Sequence, residues 1–251
     1  MNIREKLMMD GNGLREHGAI TIVVFGDSVT HGAFAKGELD YDAVYWNLLR
    51  KKINAVRSYV PVNVINSGIG GTTAKESVLR IETQLLRYHP DLAIVAFGLN
   101  DVNGPLEVYL ESLRTIFTRC KEAGVEVIFM TQNMLNTYVS PEVERKTPQL
   151  LEYATLTARY QNEGKMDLYV ESARALAREL GVTVCDCYAV WKEMSKTRDT
   201  TALLANHINH PTREMHELFA SELFRCIFPD LPVPTSQEST LYGGLQETGN
   251  A

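Results

Sequence analysis

Cysteine is scarce in this chain and badly spaced for its usual structural jobs. There are four, Cys120, Cys185, Cys187 and Cys226, in 251 residues. They form neither a C-x-x-C pair nor the spacing of a cysteine zinc site, which argues against a redox dithiol and a metal-stapled module. Cys185 and Cys187 flank Asp186 in a segment that reads as a strand, where alternate residues share a face; reduced core thiols are expected. Long apolar runs are missing as well, since no stretch approaches the ~18 residues of a membrane span. So are basic runs. Lys+Arg total 25 against Asp+Glu 31, a formal charge of -6, which leaves no electrostatic footprint for nucleic acid. Residues 1–18 are polar and charged and lack the apolar core of a secretory leader, so a cytoplasmic protein is expected. There are no internal repeats.

What the chain does have is a rhythm of strand and helix patterns. Ile20-Thr21-Ile22-Val23-Val24-Phe25 is apolar and rich in β-branched residues, the mark of a strand buried on both faces. Similar runs at residues 62–65, 92–97, 125–130 and 182–185 predict four more strands. Between them, apolar residues at helical spacing predict helices over residues 41–57, from about 74 to 88, over 105–123 and over 166–180, the last with Leu168, Ala175 and Leu176 inward. A final helix is predicted over 212–228. The alternation predicts an α/β fold, a three-layer α/β/α sandwich with a five-stranded parallel sheet in flavodoxin-like order 2-1-3-4-5. One domain over residues 1–228 suffices for this length. Residues 131–165 break the rhythm and read as an insertion over the site or an interface, with a helix near 150–160. Residues 229–251, rich in Pro, Gly, Ser, Thr and Gln, read as a loose tail. The insertion and the tail leave room for a homo-oligomer.

Three consecutive strands end in a glycine-plus-polar turn: Gly26-Asp27-Ser28, then Asn66-Ser67-Gly68-Ile69-Gly70-Gly71-Thr72-Thr73, then Gly98-Leu99-Asn100-Asp101. In a parallel sheet these carboxyl ends lie side by side, where open α/β sheets bind ligands. Each turn has a purely architectural reading: an Asp-Ser or Asn-Asp cap, or glycines that let a strand turn tightly into a helix. Together with His210-Pro211 before the last helix they also have a chemical one. A serine needs a base to act as a nucleophile at neutral pH, and an imidazole suits that task. An acyl transfer also needs N–H donors where negative charge develops on oxygen, and the Ser28 and Gly71 backbones and the Asn100 amide are candidates. Asp27 reads as a turn-stabilising carboxylate. Tyr41, Tyr45 and Trp46 read either as pocket walls or as ordinary helix packing.

These four blocks, in this order over about residues 20–228, resemble the SGNH (GDSL) hydrolases. The resemblance implies a flavodoxin-like fold, no metal or organic cofactor, and ester hydrolysis through an acyl-serine intermediate. It implies Ser28 as nucleophile, His210 as base, and Ser28, Gly71 and Asn100 as oxyanion donors. The expected partner is a small-molecule acyl ester, acetyl by family analogy, on a carbohydrate or similar polar alcohol. The family usually has an aspartate three residues before its histidine, where this chain has His207. Three arrangements are open: a Ser28–His210 dyad with a backbone carbonyl orienting the imidazole, a carboxylate from elsewhere such as Asp199, or a neutral hydrogen bond from His207 or Asn209. His207, His210 and His216 also approach a zinc spacing, but His216 should lie inside the last helix and turned away. His31 and His89 read as surface or turn residues. Two rival readings remain: a catalytically impaired SGNH-fold binding module, and a flavodoxin-type phosphate or flavin binder.

Overall fold

The computed structural model describes residues 1–35 and 37–235; the expected loose tail lies outside them from residue 236 on. Strand β1, Ile20–Gly26, runs through the middle of the molecule, with Ile22, Val23, Val24 and Phe25 fully buried. Burial of both its faces is what a β-branched run without alternation requires. The other strands are β2 Val62–Asn66, β3 Leu92–Ala96, β4 Glu126–Thr131 and β5 Thr183–Asp186. All pairs are parallel, and the order is β2-β1-β3-β4-β5, as expected from the alternating pattern. The register sets Val24 opposite Asn66 and Gly26 opposite Ala96, so the turns after β1, β2 and β3 leave the sheet along one edge.

Helices α1 Ile3–Leu7 and α2 Gly11–His17 precede the sheet, and α3 Ser28–His31 follows β1 at once. Then come α4 Tyr45–Val56, α5 Ala74–Val78, α6 Ile81–Gln84, α7 Leu106–Glu122, α8 Pro141–Glu144, α9 Pro148–Asn162, α10 Lys165–Glu179, α11 Cys187–Met194 and α12 Arg213–Ile227. Right-handed crossovers put the β1–β2 and β2–β3 connections on opposite faces. Accordingly α12 packs on α4, while α7 packs on α5 and α10.

Three details differ from the periodicity. The helix expected between β2 and β3 is broken into α5, α6 and a 3-10 turn at Leu86–Tyr88. The break falls at Arg80, whose guanidinium turns inward to donate to the carbonyls of Ser67 (2.6 Å) and Gly26 (3.2 Å) and covers the Phe25 ring at 4.4 Å. In α10, Leu168 and Ala175 face solvent, and the buried stripe is Met166, Tyr169, Val170, Ala173, Leu176 and Ala177. Residues 131–136 are buried, not looped out. Asn133 donates to the Asn209 carbonyl, and the Asn136 N–H donates to the Ile208 carbonyl, both at 2.9 Å. Cys120, Cys185 and Cys187 are buried thiols, with Cys185 and Cys187 sulfurs 3.7 Å apart, and Cys226 is partly exposed. Among the described residues no helix is long and apolar enough to cross a membrane.

The tightest approach of a glycine to neighbouring backbone in this frame is at Gly68. A Cβ there would lie 2.4 Å from the His31 nitrogen and 2.6 Å from the Thr30 carbonyl carbon, both backbone atoms of α3. Neither can yield cheaply. Gly68→Ala is expected to cost about 1–3 kcal/mol or more, read as a lower midpoint in thermal unfolding; an unchanged midpoint would mean the second turn does not rest on α3.

Candidate active site

The turn after β1 is built around a buried carboxyl. Asp27 is fully buried; its Oδ1 accepts from the Val29 N–H at 3.0 Å, and both its oxygens lie 3.0 Å from Nε2 of Gln132. Burial pushes its pKa up to about 6, against the Gln132 and backbone hydrogen bonds. This is a turn-stabilising role, and it fixes the direction in which Ser28 leaves the strand. Ser28 opens α3 and is 9% exposed. Behind α3, the Tyr45 hydroxyl sits 3.0 Å from Thr30 Oγ1, and Trp46 donates to the Thr30 carbonyl at 2.9 Å. Tyr45 and Trp46 therefore brace this helix, while Tyr41 is exposed beside His31.

The structure brings Ser28 and His210 together: Oγ and Nε2 are 3.0 Å apart. The other ring nitrogen, Nδ1, lies 2.7 Å from the Phe34 carbonyl oxygen. A carbonyl can only accept, so Nδ1 carries the proton. The neutral ring then presents the Nε2 lone pair to the serine hydroxyl. Burial lowers the His210 pKa, with the Phe34 hydrogen bond opposing, which keeps the ring a free base at lower pH than an exposed imidazole. The loop is set by Asn206, whose Oδ1 accepts from the N–H groups of Ile208, Asn209 and His210 at 3.0, 2.9 and 2.9 Å.

None of the side chains proposed as the third member reaches His210. His207 has φ 56 and turns outward, its Nε2 3.0 Å from Glu142. Asp199 accepts from the Tyr138 hydroxyl at 2.6 Å and from the Thr201 N–H at 3.0 Å. Asn209 is held by Asn206. His216 is buried in α12 and accepts the Tyr45 N–H at 3.1 Å, so the three histidines do not converge on a metal. His89 is exposed. His31 is closer to the site than its surface reading implied: a Cβ on Gly70 would lie 3.8 Å from both its Nδ1 and Ser28 Cβ.

The second and third turns are stitched to each other. Asn100 donates from Nδ2 to the Thr72 carbonyl at 3.0 Å, which leaves that amide a second N–H. Asp101 accepts the Ala74 N–H at 2.8 Å. It is buried, and burial with the nearby Asp27 charge pushes its pKa up to about 7. Gly71 has φ +77, a left-handed conformation that suits glycine, and open space where a side chain would stand.

Three further residues at this edge carry no distinguishing mark in the sequence pattern other than position. Gln132 follows the end of β4, and the rule that strand ends carry chemistry reaches it. Tyr153 comes from α9: its hydroxyl lies 3.5 Å from the Asn209 amide and also faces Asn103. It thus spans the loops carrying Asn100 and His210. Phe34 acts through its backbone, which side-chain identity does not reveal.

A family model for GDSL-like lipases/acylhydrolases matches residues 24–218. The chain is 22% identical to an acetylxylan esterase of Geobacillus stearothermophilus over 221 residues, 81% of this chain and 92% of that one. It is 27% identical over 129 residues to an uncharacterized lipoprotein of Bacillus subtilis, YqeF, covering 47% of this chain and 51% of the relative. In fold it resembles the crystal structure of the Geobacillus esterase Axe2, with TM-score 0.67 at 23% identity, covering 87% of this chain and 97% of that one. Solved catalytic mutants of Axe2 replace a serine, an aspartate and a histidine.

The direction of the His207 side chain generates a test. Hydrolysis of p-nitrophenyl acetate by His207→Ala is expected to stay within about two- to three-fold of the parent, as for a surface change. A loss near the ~10,000-fold that follows removal of a triad partner would place His207 in the relay after all.

Proposed function

The chain belongs to the GDSL-like lipase/acylhydrolase family and is a carboxylic ester hydrolase, and on that footing we propose that a Ser28–His210 dyad cleaves short acyl esters, acetyl foremost, of carbohydrates or similar polar alcohols. The observation that carries the proposal is the relay from the Phe34 carbonyl through the imidazole to the serine hydroxyl, 2.7 Å on one side and 3.0 Å on the other. In the first half-reaction the Ser28 proton passes to His210 Nε2 as Oγ adds to the acyl carbon. Negative charge builds on the former carbonyl oxygen, where the N–H groups of Ser28, Gly71 and Asn100 are the donors; each is worth ~100- to 1,000-fold in turnover. The imidazolium then gives its proton to the departing alcohol. Water repeats the sequence on acyl-Ser28, releasing the carboxylic acid and restoring the hydroxyl.

A backbone carbonyl orients the ring without a carboxylate's charge. It selects the correct tautomer, so the base is set for its first proton transfer, but it stabilises the imidazolium less. Moderate turnover is the consequence. No cofactor enters this scheme. Preference for acetyl is supported by the acetylxylan esterase relative and by Tyr153, whose hydroxyl lies 3.5 Å from the side-chain amide of Asn209, the residue before His210. Cytoplasmic placement belongs to the same proposal, against the relative named a lipoprotein.

Turnover of p-nitrophenyl acetate should vanish in Ser28→Ala, and a fluorophosphonate should label Ser28 on peptide mapping. Equal rates for parent and variant would instead favour a non-catalytic binding module. Tyr153→Ala should open the acyl pocket and raise the octanoate-to-acetate ratio of kcat/KM by roughly tenfold or more. An unchanged ratio would remove Tyr153 from the pocket.

A further inference from the structure

A carbonyl that stands in for a carboxylate is only as well placed as the segment that carries it. Phe34 lies on a short excursion between α3 and α4, and the excursion is largely at the surface, with Glu38 and Leu39 exposed. Its two limbs hold each other by an antiparallel bridge between Ala33 and Leu39 and by bonds from Phe34 N to Glu38 O (3.1 Å) and Asp40 N to Gly32 O (3.0 Å). The Ala33 N–H also donates to the Ser28 carbonyl at 3.0 Å. These bonds shape the excursion and tie its base to α3. They do not bring its Phe34 carbonyl toward His210.

Side chains of α12 do. Arg213 is the first residue of α12, three positions after His210. Its Nε donates to Asp40 at 2.8 Å, its NH2 group donates to Glu38, and its guanidinium lies over the Phe34 ring, 4.7 Å from the ring centre. From the same helix, His216 packs on Phe34 with ring centres 4.7 Å apart. Arg213 and His216 are three apart, so they share one face of α12, and both contact the Phe34 ring. We infer that Arg213 is a positioning residue: it clamps the Phe34 segment onto the element that begins at His210, and so holds the Phe34 carbonyl at Nδ1 where the family has an aspartate. The inference rests on the dyad reading of the site.

Each of these ion pairs is half exposed and by itself adds little stability. Their common feature is geometric. A planar guanidinium binds two carboxylates of one segment and stacks on its ring at once, which an ammonium cannot do. The clamp therefore sets a position more than it holds the fold.

The test combines kinetics with a readout that needs no turnover. Arg213→Ala should lower kcat for p-nitrophenyl acetate by ~10- to 100-fold, the scale of a small misplacement of a reacting group. KM and the thermal midpoint should stay near the parent's. Arg213→Lys should recover only part of the loss. Should the alanine variant not fold, Arg213→Lys and the pair Glu38→Gln with Asp40→Asn carry the same expectation. In proton NMR, the downfield His210 Nδ1–H signal of the parent should weaken or disappear in the variants through exchange with water. An unaltered signal, or an unaltered kcat in a folded variant, overturns the inference. An inactive parent whose Nδ1–H signal is still lost in the variants would sink the esterase reading and leave the clamp standing.

Discussion

The imidazole of His210 has two nitrogens, and the site depends on what each of them meets. With the Phe34 carbonyl at Nδ1, the proton sits on that side and the lone pair faces Ser28. Exchange that acceptor for a donor and the tautomer inverts, leaving serine beside an N–H that cannot take its proton. The rest of the site supports this one constraint. Asp27 and Gln132 aim the serine, and Asn206 gathers three N–H groups to shape the histidine loop. Asn133 and Asn136 tie that loop to the end of β4.

The supporting carboxyls have a cost of their own. Asp27 and Asp101 titrate near 6 and 7 in the folded chain because burial disfavours their charged forms. A carboxyl raised in this way stabilises the fold most when protonated, and that contribution fades as pH climbs from about 4 through the folded values. His216 works in the opposite direction. Burial holds its pKa down to about 3, so the fold loses stability as pH drops below the ordinary imidazole value of ~6.5. Buried acids and a buried base thus pull against each other around the same site. Perturbed acids and bases gathered in one region are a pattern frequent at functional sites.

Much of the architecture was legible in the chain because burial on both faces leaves a signature that local periodicity carries. A parallel strand under two helix layers is apolar along its length, as β3 is and as β1 is apart from Thr21. Where the pattern misled, a single side chain overrode it. Arg80 turned inward to satisfy carbonyls at the sheet edge and broke a helix that spacing alone made continuous. In α10 the buried stripe shifted because it faces α7 and β5 together, and single-helix spacing cannot report two partners. Among the residues of the proposed site, Ser28, Gly71, Asn100 and His210 stood out because they follow strand ends or precede the last helix. Gln132 and Tyr153 did not, since their roles exist only once residues 105 and 56 positions away in the chain are brought beside them.

What the sequence determined by itself is the alternation of parallel strands and helices and the set of polar groups that follow the strand ends, since hydrophobic pattern and turn chemistry are local. Which acceptor completes the histidine was decided only by tertiary structure. Every residue has a backbone carbonyl, so none is marked in the sequence; its role comes from where the folded chain places it, here against a ring 176 positions further along.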